Sequence, residues 1–154
     1  MDLLKIITFA INDSYFALPS KSVKEVVDND EEVKELFYGG GAIDGILSYE
    51  GDLLSVLNSS FFFDIPGERE EPLILICRES REDKAMGITI SSIKGIGFVD
   101  TSHIKSAQSS EVDYISGFIR EGSDAGQQVT ALLDLGKFLK YASKKIENIV
   151  KVGN

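Results

Sequence analysis

The chain has 154 residues, a formal net charge of −9 and a hydrophobic content of 43%. This length suits one full domain, and the hydrophobic content is ordinary for a folded globule. The acidic balance would repel phosphate groups, which disfavours nucleic-acid binding and attachment to an anionic membrane surface. A single cysteine excludes an internal disulfide, and neither a signal peptide nor a membrane-spanning apolar run is present. We therefore expect a cytoplasmic protein with no direct membrane insertion.

The first part of the chain is predicted to form short strands and turns. Residues 3–11 and 14–19 are rich in β-branched and aromatic residues and flank an Asn-Asp turn, which predicts a hairpin. Residues 20–27 fit either a short helical turn or an irregular strand edge. Three consecutive glycines at 39–41 predict a flexible joint.

A second hairpin is predicted from two apolar strands, 43–49 and 52–57, which Glu50 and Gly51 join as a turn. Residues 59–63 then suit a short helix. The charged, proline-bearing connection at 65–71 marks an internal boundary, and its acidic run is expected to be solvated.

The second half is predicted to open with another hairpin, at 72–78 and 84–90, and strands should follow at 93–99, 115–121 and 127–133. From residue 135 onward, apolar side chains recur at spacings of three and four, and Asp134 stands at the position of an N-cap. This pattern predicts an amphipathic C-terminal helix over about 135–150, whose apolar face we expect to close one end of the β-structure.

Two stretches of the first half return in the second half. Residues 22–26 (SVKEV) return at 92–96 (SIKGI), and residues 43–47 (IDGIL) return at 115–119 (ISGFI). Both offsets are about 70 residues, which is too long for a solenoid repeat. We infer a duplicated unit, with approximate repeats 1–66 and 72–140 inside a single domain that spans 1–154.

No residue pattern points to catalysis or to a bound cofactor. His103 is the one histidine, which excludes a multi-histidine metal site, and it suits a surface loop. Cys77 lies in an apolar run, typical of a buried thiol. A shared-proton carboxylate pair is excluded because Asp44 is matched by Ser116 in the repeat. The aromatic run 61–63 suits core packing, or places at least one ring at a surface or at a seam between subdomains. We therefore expect a protein that is not an enzyme and that binds neither a cofactor nor a metal ion.

The order and spacing of four stretches resemble the CheW-like domain, the adaptor of bacterial chemotaxis signalling. These stretches are ITFAI at 7–11 through YFALP at 15–19; VKEV at 23–26; IDGILSYEG at 43–51 with LSVLN at 54–58; and ISGF at 115–118 with ALLDL at 131–135. The resemblance covers almost the whole chain. It implies a mainly β fold of two packed five-stranded SH3-like β-barrels, with short helices and no catalytic activity.

The resemblance also implies the partners, which are the cytoplasmic tip of a chemoreceptor and the regulatory domain of the histidine kinase CheA. Motif by motif, it places Val23, Glu25, Val26, Glu50 and Gly51 at the receptor-facing groove. The kinase-facing surface is expected on the second barrel, without named residues.

One departure from the family pattern changes the charge of this groove. Where the family has Asn-Leu-Arg-Gly, this chain has Ser-Tyr-Glu-Gly, so that Glu50 replaces an arginine near Glu25. We expect the two carboxylates either to perturb one another or to splay into water. The alternative function is a pair of SH3-like or OB-like barrels that bind oligonucleotides, which the net acidity disfavours.

Overall fold

The computed structural model describes residues 2–30, 34–35, 41–107, 112–123 and 126–152. The chain is mainly β, as predicted. Its strands are β1 (Leu3–Ile11), β2 (Ser14–Pro19), β3 (Val23–Asp28), β4 (Lys34–Glu35), β5 (Ile43–Tyr49), β6 (Asp52–Leu57), β7 (Leu73–Cys77), β8 (Met86–Ile90), β9 (Ser92–Asp100), β10 (Lys105–Ser106), β11 (Ile115–Ser123) and β12 (Gly126–Leu133). The helices are α1 (Ser59–Phe63) and α2 (Leu135–Val152), with 3-10 turns at Ser20–Ser22 and Thr101–His103.

The strands form two sheets. Sheet I has the order β10-β11-β12-β2-β1-β9, and sheet II has the order β3-β7-β8-β6-β5-β4. Each sheet holds five longer strands, as predicted, and one further strand of two residues, β10 or β4. Within the described residues no hydrogen-bonded ladder joins the two edges of either sheet, so closure into a barrel stays a prediction.

The two sheets exchange their hairpins. The β1–β2 hairpin joins sheet I through a parallel pairing of β2 with β12, and the β7–β8 hairpin joins sheet II through a parallel pairing of β8 with β6. The predicted repeats 1–66 and 72–140 therefore do not coincide with the sheets, because each opening hairpin lies in the sheet of the other repeat. The same order of elements runs twice along the chain, but the repeat boundaries themselves stay a prediction.

Three apolar clusters pack the fold. The largest lies between the sheets and includes Phe9, Leu18, Leu57, Ile88 and Phe138, each fully buried. A second cluster belongs to sheet I, and its members are Ile6, Ala17, Val99, Ile119 and Leu132. A third belongs to sheet II, and its members are Leu47, Leu54, Val56, Ile74 and Ile76, with Val27 and Tyr49 packed against it.

Sheet II curls. Glu25 on β3 acts directly on the hydroxyl of Tyr49 on β5, although three strands separate β3 from β5 in the sheet. A flat sheet would hold these strands about 19 Å apart, at about 4.8 Å per strand. The sheet must therefore fold over to bring them together, and this curvature positions the candidate site described below.

The C-terminal helix α2 forms as predicted. Asp134 caps it, since its Oδ1 accepts a hydrogen bond from the Lys137 backbone N–H at 3.0 Å. Leu135, Phe138 and Ala142 are buried against the cluster between the sheets. The helix therefore covers the space between the sheets, whereas the sequence pattern predicted that it would close one end of the β-structure. Among the described residues, no helix combines the length and the apolar character needed to cross a membrane.

The remaining predicted hairpins, helix and turns can each be compared with the structure. Both opening hairpins and the short helix at 59–63 are confirmed. The ambiguous segment after residue 19 is a 3-10 turn followed by strand β3. Of the three glycines predicted to form a joint, Gly41 has a φ of +89°, and residues 39–40 lie outside the described residues.

Candidate interaction site

The turn between β5 and β6 presents Glu50 and Gly51 to solvent. Tyr49 pairs with Asp52 across the hairpin, which leaves Glu50 and Gly51 as a two-residue turn. Both have positive φ, 49° and 83°, as a type I′ hairpin turn requires. Glycine adopts this conformation without a Cβ clash, so Gly51 fixes the turn and Glu50 lies exposed at its tip.

Strand β3 supplies the other predicted residues of the site. It is an edge strand of sheet II, where it pairs with β7. Glu25 is exposed, whereas Val23 and Val26 are half-buried and pack against the cluster between the sheets. A register shift between Val23 and Glu25 interrupts the alternation of the strand. Glu25 is therefore available to a partner, and the two valines mainly anchor the strand beneath it.

Tyr49 joins the two parts of the site. Burial raises the pKa of the Tyr49 hydroxyl, and hydrogen bonding to Glu25 and the negative charges of Glu50 and Glu25 raise it further, to about 12. The phenol therefore stays protonated at neutral pH beside the two carboxylates. The structure thus brings Glu25 and Glu50 together around one hydroxyl, where the sequence predicted two carboxylates that either perturb one another or splay apart. The sequence pattern gave no sign that Tyr49 would join them.

A polar cleft of about 260 Å³ adjoins the turn. Glu50 and Leu53 line it on the hairpin side, and Leu53 is 69% exposed. Charged side chains of both signs complete the lining: Lys24, Asp52, Arg78, Arg81, Glu82, Asp83 and Lys84. Tyr49, Leu54 and Ala85 also line the cleft. This surface offers a few apolar contacts among mixed charges, which suits recognition of a protein surface better than enclosure of a small molecule.

The two residues considered for chemistry, His103 and Cys77, do not line this cleft. His103 is exposed in a 3-10 turn, as predicted. Cys77 is fully buried, and burial raises its pKa to about 12, so its thiol is protonated and shielded. Within the described ranges, no three side chains of the metal-ligating types are grouped so that they could hold a metal ion.

The aromatic run 61–63 packs in the cluster between the sheets, so two of the predicted places, the core and the seam, coincide here. Phe62 is buried, and Phe63 stacks on Phe16 of sheet I with ring centroids 4.7 Å apart. Phe63 also stacks on Phe138 of α2, at 5.0 Å. The run therefore packs α1 against both sheet I and the C-terminal helix.

The expectation that the acidic run near residue 70 is solvated is wrong for Glu71. The Glu71 side chain is 2% exposed and accepts hydrogen bonds from the hydroxyls of Ser59, Ser60 and Thr89. Arg69 donates to the same carboxylate at 2.9 and 3.0 Å and also pairs with Asp44. The network is structural, and the one sequence signal for it is the position of Glu71 just before the buried strand β7.

Comparison with known proteins agrees with this architecture. The family model described as the CheW-like domain matches residues 5–143. The crystal structure of the scaffolding protein TtCheW from Thermoanaerobacter tengcongensis is similar, with a TM-score of 0.72 at 17% sequence identity. The alignment covers 88% of this chain and 86% of that chain, and at this identity it shows a shared fold. No curated protein matches the sequence. Because the family model spans most of the chain, the protein belongs to the CheW-like domain family.

Proposed function

We propose that this protein is a non-enzymatic adaptor of a bacterial chemosensory complex, which couples chemoreceptors to the histidine kinase CheA. The observation that carries the proposal is the match to the CheW-like family over residues 5–143. Such an adaptor works in the cytoplasm, binds the cytoplasmic tip of a receptor and the regulatory domain of the kinase, and needs no reacting groups of its own.

The receptor-facing surface of this adaptor is the group formed by Glu25, Tyr49, Glu50 and Gly51, with Val23 and Val26 beneath it. Two features support this assignment. The family motif places five of these residues at the receptor, and the structure gathers the exposed carboxylates Glu25 and Glu50 around the Tyr49 hydroxyl. Charges at an interface mainly select partners, so replacing the family arginine by Glu50 changes which receptors this surface accepts.

The kinase-facing surface belongs to sheet I, because four of the six strands of that sheet come from the second repeat. This assignment leaves the receptor-facing surface on sheet II free. An adaptor that uses both sheets can hold a receptor and a kinase at the same time.

Charge reversal tests the receptor-facing surface. Glu25→Lys and Glu50→Lys should each weaken binding to the cytoplasmic fragment of a chemoreceptor from the same organism by about tenfold or more, since an attractive contact becomes repulsive. Isothermal titration calorimetry measures the affinities. Glu121→Lys on β11 of sheet I makes the same charge change at another exposed glutamate and should leave receptor binding unchanged.

Glu25→Lys and Glu50→Lys should bind the CheA regulatory domain as the wild-type protein does. If both Glu25→Lys and Glu50→Lys bind the receptor fragment normally, this surface does not face the receptor. Val26→Asp is unsuitable as a probe, because Val26 packs against the cluster between the sheets and a carboxylate there would destabilise the fold.

A further inference from the structure

Strand β9 is an unpaired edge of sheet I that carries exposed apolar side chains. It pairs with β1 on one side and ends the strand order of the described sheet on the other. All of its residues from Lys94 to Phe98 are exposed, with Ile96 at 64% and Phe98 at 67%. Edge strands are normally short or charged along their length, because a free apolar edge is a template for pairing with another strand. A nine-residue edge with this composition is therefore unusual.

The apolar surface extends from the edge onto β1. Ile7 lies opposite Ile96, and Lys5 lies opposite Phe98, with the Lys5 Nζ 6.0 Å from the centre of the phenyl ring. Leu3, on the same face of β1, is 56% exposed. These side chains share one face of the sheet because successive side chains on a strand alternate between the two faces.

The sequence of β9 is complementary to itself when two copies run antiparallel about Gly97. In that register Ile96 lies opposite Phe98 of the second copy, and this aromatic and β-branched pair occurs twice. Lys94 lies opposite Asp100 of the second copy, so the opposite charges also pair twice. Gly97 lies opposite itself, and it is exposed with open space around the position where its Cβ would be, so a small side chain fits there.

We propose that two copies of this protein pair through β9, in an antiparallel arrangement centred on Gly97. The pairing joins the two copies of sheet I into one continuous sheet with two-fold symmetry. The occupant of the edge is a second copy because the strand supplies both members of each charged and each apolar pair. The contact is small and each chain carries a net charge of −9, so the dimer is weak and depends on protein concentration.

Cysteine cross-linking tests both the pairing and its register. In the proposed dimer, Gly97→Cys places two thiols directly opposite one another, within the Cα separation that a disulfide allows. Gly95→Cys is the matched control, since Gly95 is also exposed with open space at its Cβ position. Its two copies would lie four residues apart along the strand, about 13 Å, which is too far to bridge.

On mild oxidation, we expect Gly97→Cys to form a covalent dimer at least tenfold faster than Gly95→Cys. The wild-type protein should form none, because Cys77 is fully buried. Circular dichroism checks that both variants are folded. Equal rates, a faster Gly95→Cys reaction or no dimer from either variant would each overturn the proposal.

Sedimentation velocity provides the second measurement, without an added thiol. The wild-type protein should shift from monomer to dimer as its concentration rises from micromolar to millimolar. Ile96→Lys should abolish the shift, whereas Leu53→Lys, at an equally exposed leucine of sheet II, should not. A wild-type protein that stays monomeric throughout would contradict the pairing and leave the edge to a different protein.

Discussion

Glu71 ties the connection between the two halves of the chain to the rest of the fold. Its carboxylate accepts hydrogen bonds from Ser60 of α1 at 2.7 Å and from Thr89 of β8. Arg69 donates to the same carboxylate and reaches Asp44 on β5. A buried charge is tolerated because hydrogen bonds and an opposite charge surround it. Glu71 and Arg69 together thus link β5 and β8 of sheet II to helix α1.

Acid should weaken this link. Burial by itself would raise the pKa of Glu71, but the hydrogen bonds from Arg69, Thr89 and Ser60 outweigh it and lower the pKa from 4.5 to about 2. A carboxyl group whose pKa is lowered by folding stabilises the fold above its unfolded pKa, and this stabilisation is lost as the pH falls toward its folded pKa. We expect Glu71 to contribute about 3 kcal/mol of unfolding free energy above pH 4.5, most of it lost by pH 2.

Urea unfolding of the wild-type protein and Glu71→Gln at several pH values measures this contribution. The variant should be less stable at neutral pH, and the difference should shrink as the pH falls from 4.5 toward 2. The other carboxylates are common to both proteins and cancel in the comparison. A difference that does not change with pH would contradict the assignment.

The sequence predicts the conformation and the surroundings of some single residues but not of others. The turn at Gly51 was predictable, because a positive φ favours glycine in a local motif. Glu25 and Glu50 were assigned to the site from their motifs, but the position of Tyr49 between them requires sheet II to curl. The burial of Glu71 depends on hydroxyl groups that are distant in sequence, so a local charge pattern could not indicate it.

At the scale of elements, an aromatic cluster holds helix α2 to the body. Phe138 is fully buried and contacts Phe62, Phe63 and Tyr114, with ring centroids 5.0 to 5.8 Å apart. The rings meet in stacked and edge-to-face geometries, both of which are favourable for aromatic pairs. Through Phe63 the cluster continues to Phe16 of sheet I. The helix was predictable from its apolar spacing, but its packing partners were not, since three consecutive aromatics point in different directions.

Removing the central ring should destabilise the whole fold. We expect Phe138→Ala to lower the free energy of unfolding by about 3 to 5 kcal/mol, the usual cost of truncating a buried phenylalanine. Phe98→Ala removes the same atoms from an exposed position and should change it by less than about 0.5 kcal/mol. Urea denaturation followed by circular dichroism gives both values. Equal stability of the two variants would show that the cluster does not hold the helix.

At the scale of the molecule, the exchanged hairpins make the two sheets depend on each other. Sheet I needs β1 and β2 from the first repeat, and sheet II needs β7 and β8 from the second. The repeated motifs predicted two related subdomains, but not this exchange. The parallel pairings that create it join strands far apart in sequence, and no local pattern encodes them.

Separated repeats should therefore be unable to fold alone. We expect a fragment of residues 1–66 and a fragment of residues 72–154 each to be unfolded, and to recover β-structure when mixed. Two-dimensional NMR of each fragment and of the mixture tests this. The intact chain should unfold in one cooperative transition. A well-dispersed spectrum from either fragment alone would show that the sheets are independent.

We propose that one molecule of this protein holds a chemoreceptor and the kinase CheA at the same time. Co-sedimentation of a membrane-bound receptor fragment with the CheA regulatory domain, with and without this protein, measures this bridging. We expect the kinase domain to sediment with the receptor when the adaptor is present, and to stay in the supernatant when the adaptor is absent or carries Glu25→Lys and Glu50→Lys together. A kinase domain that stays in the supernatant with the wild-type protein would show that the protein does not bridge the two partners.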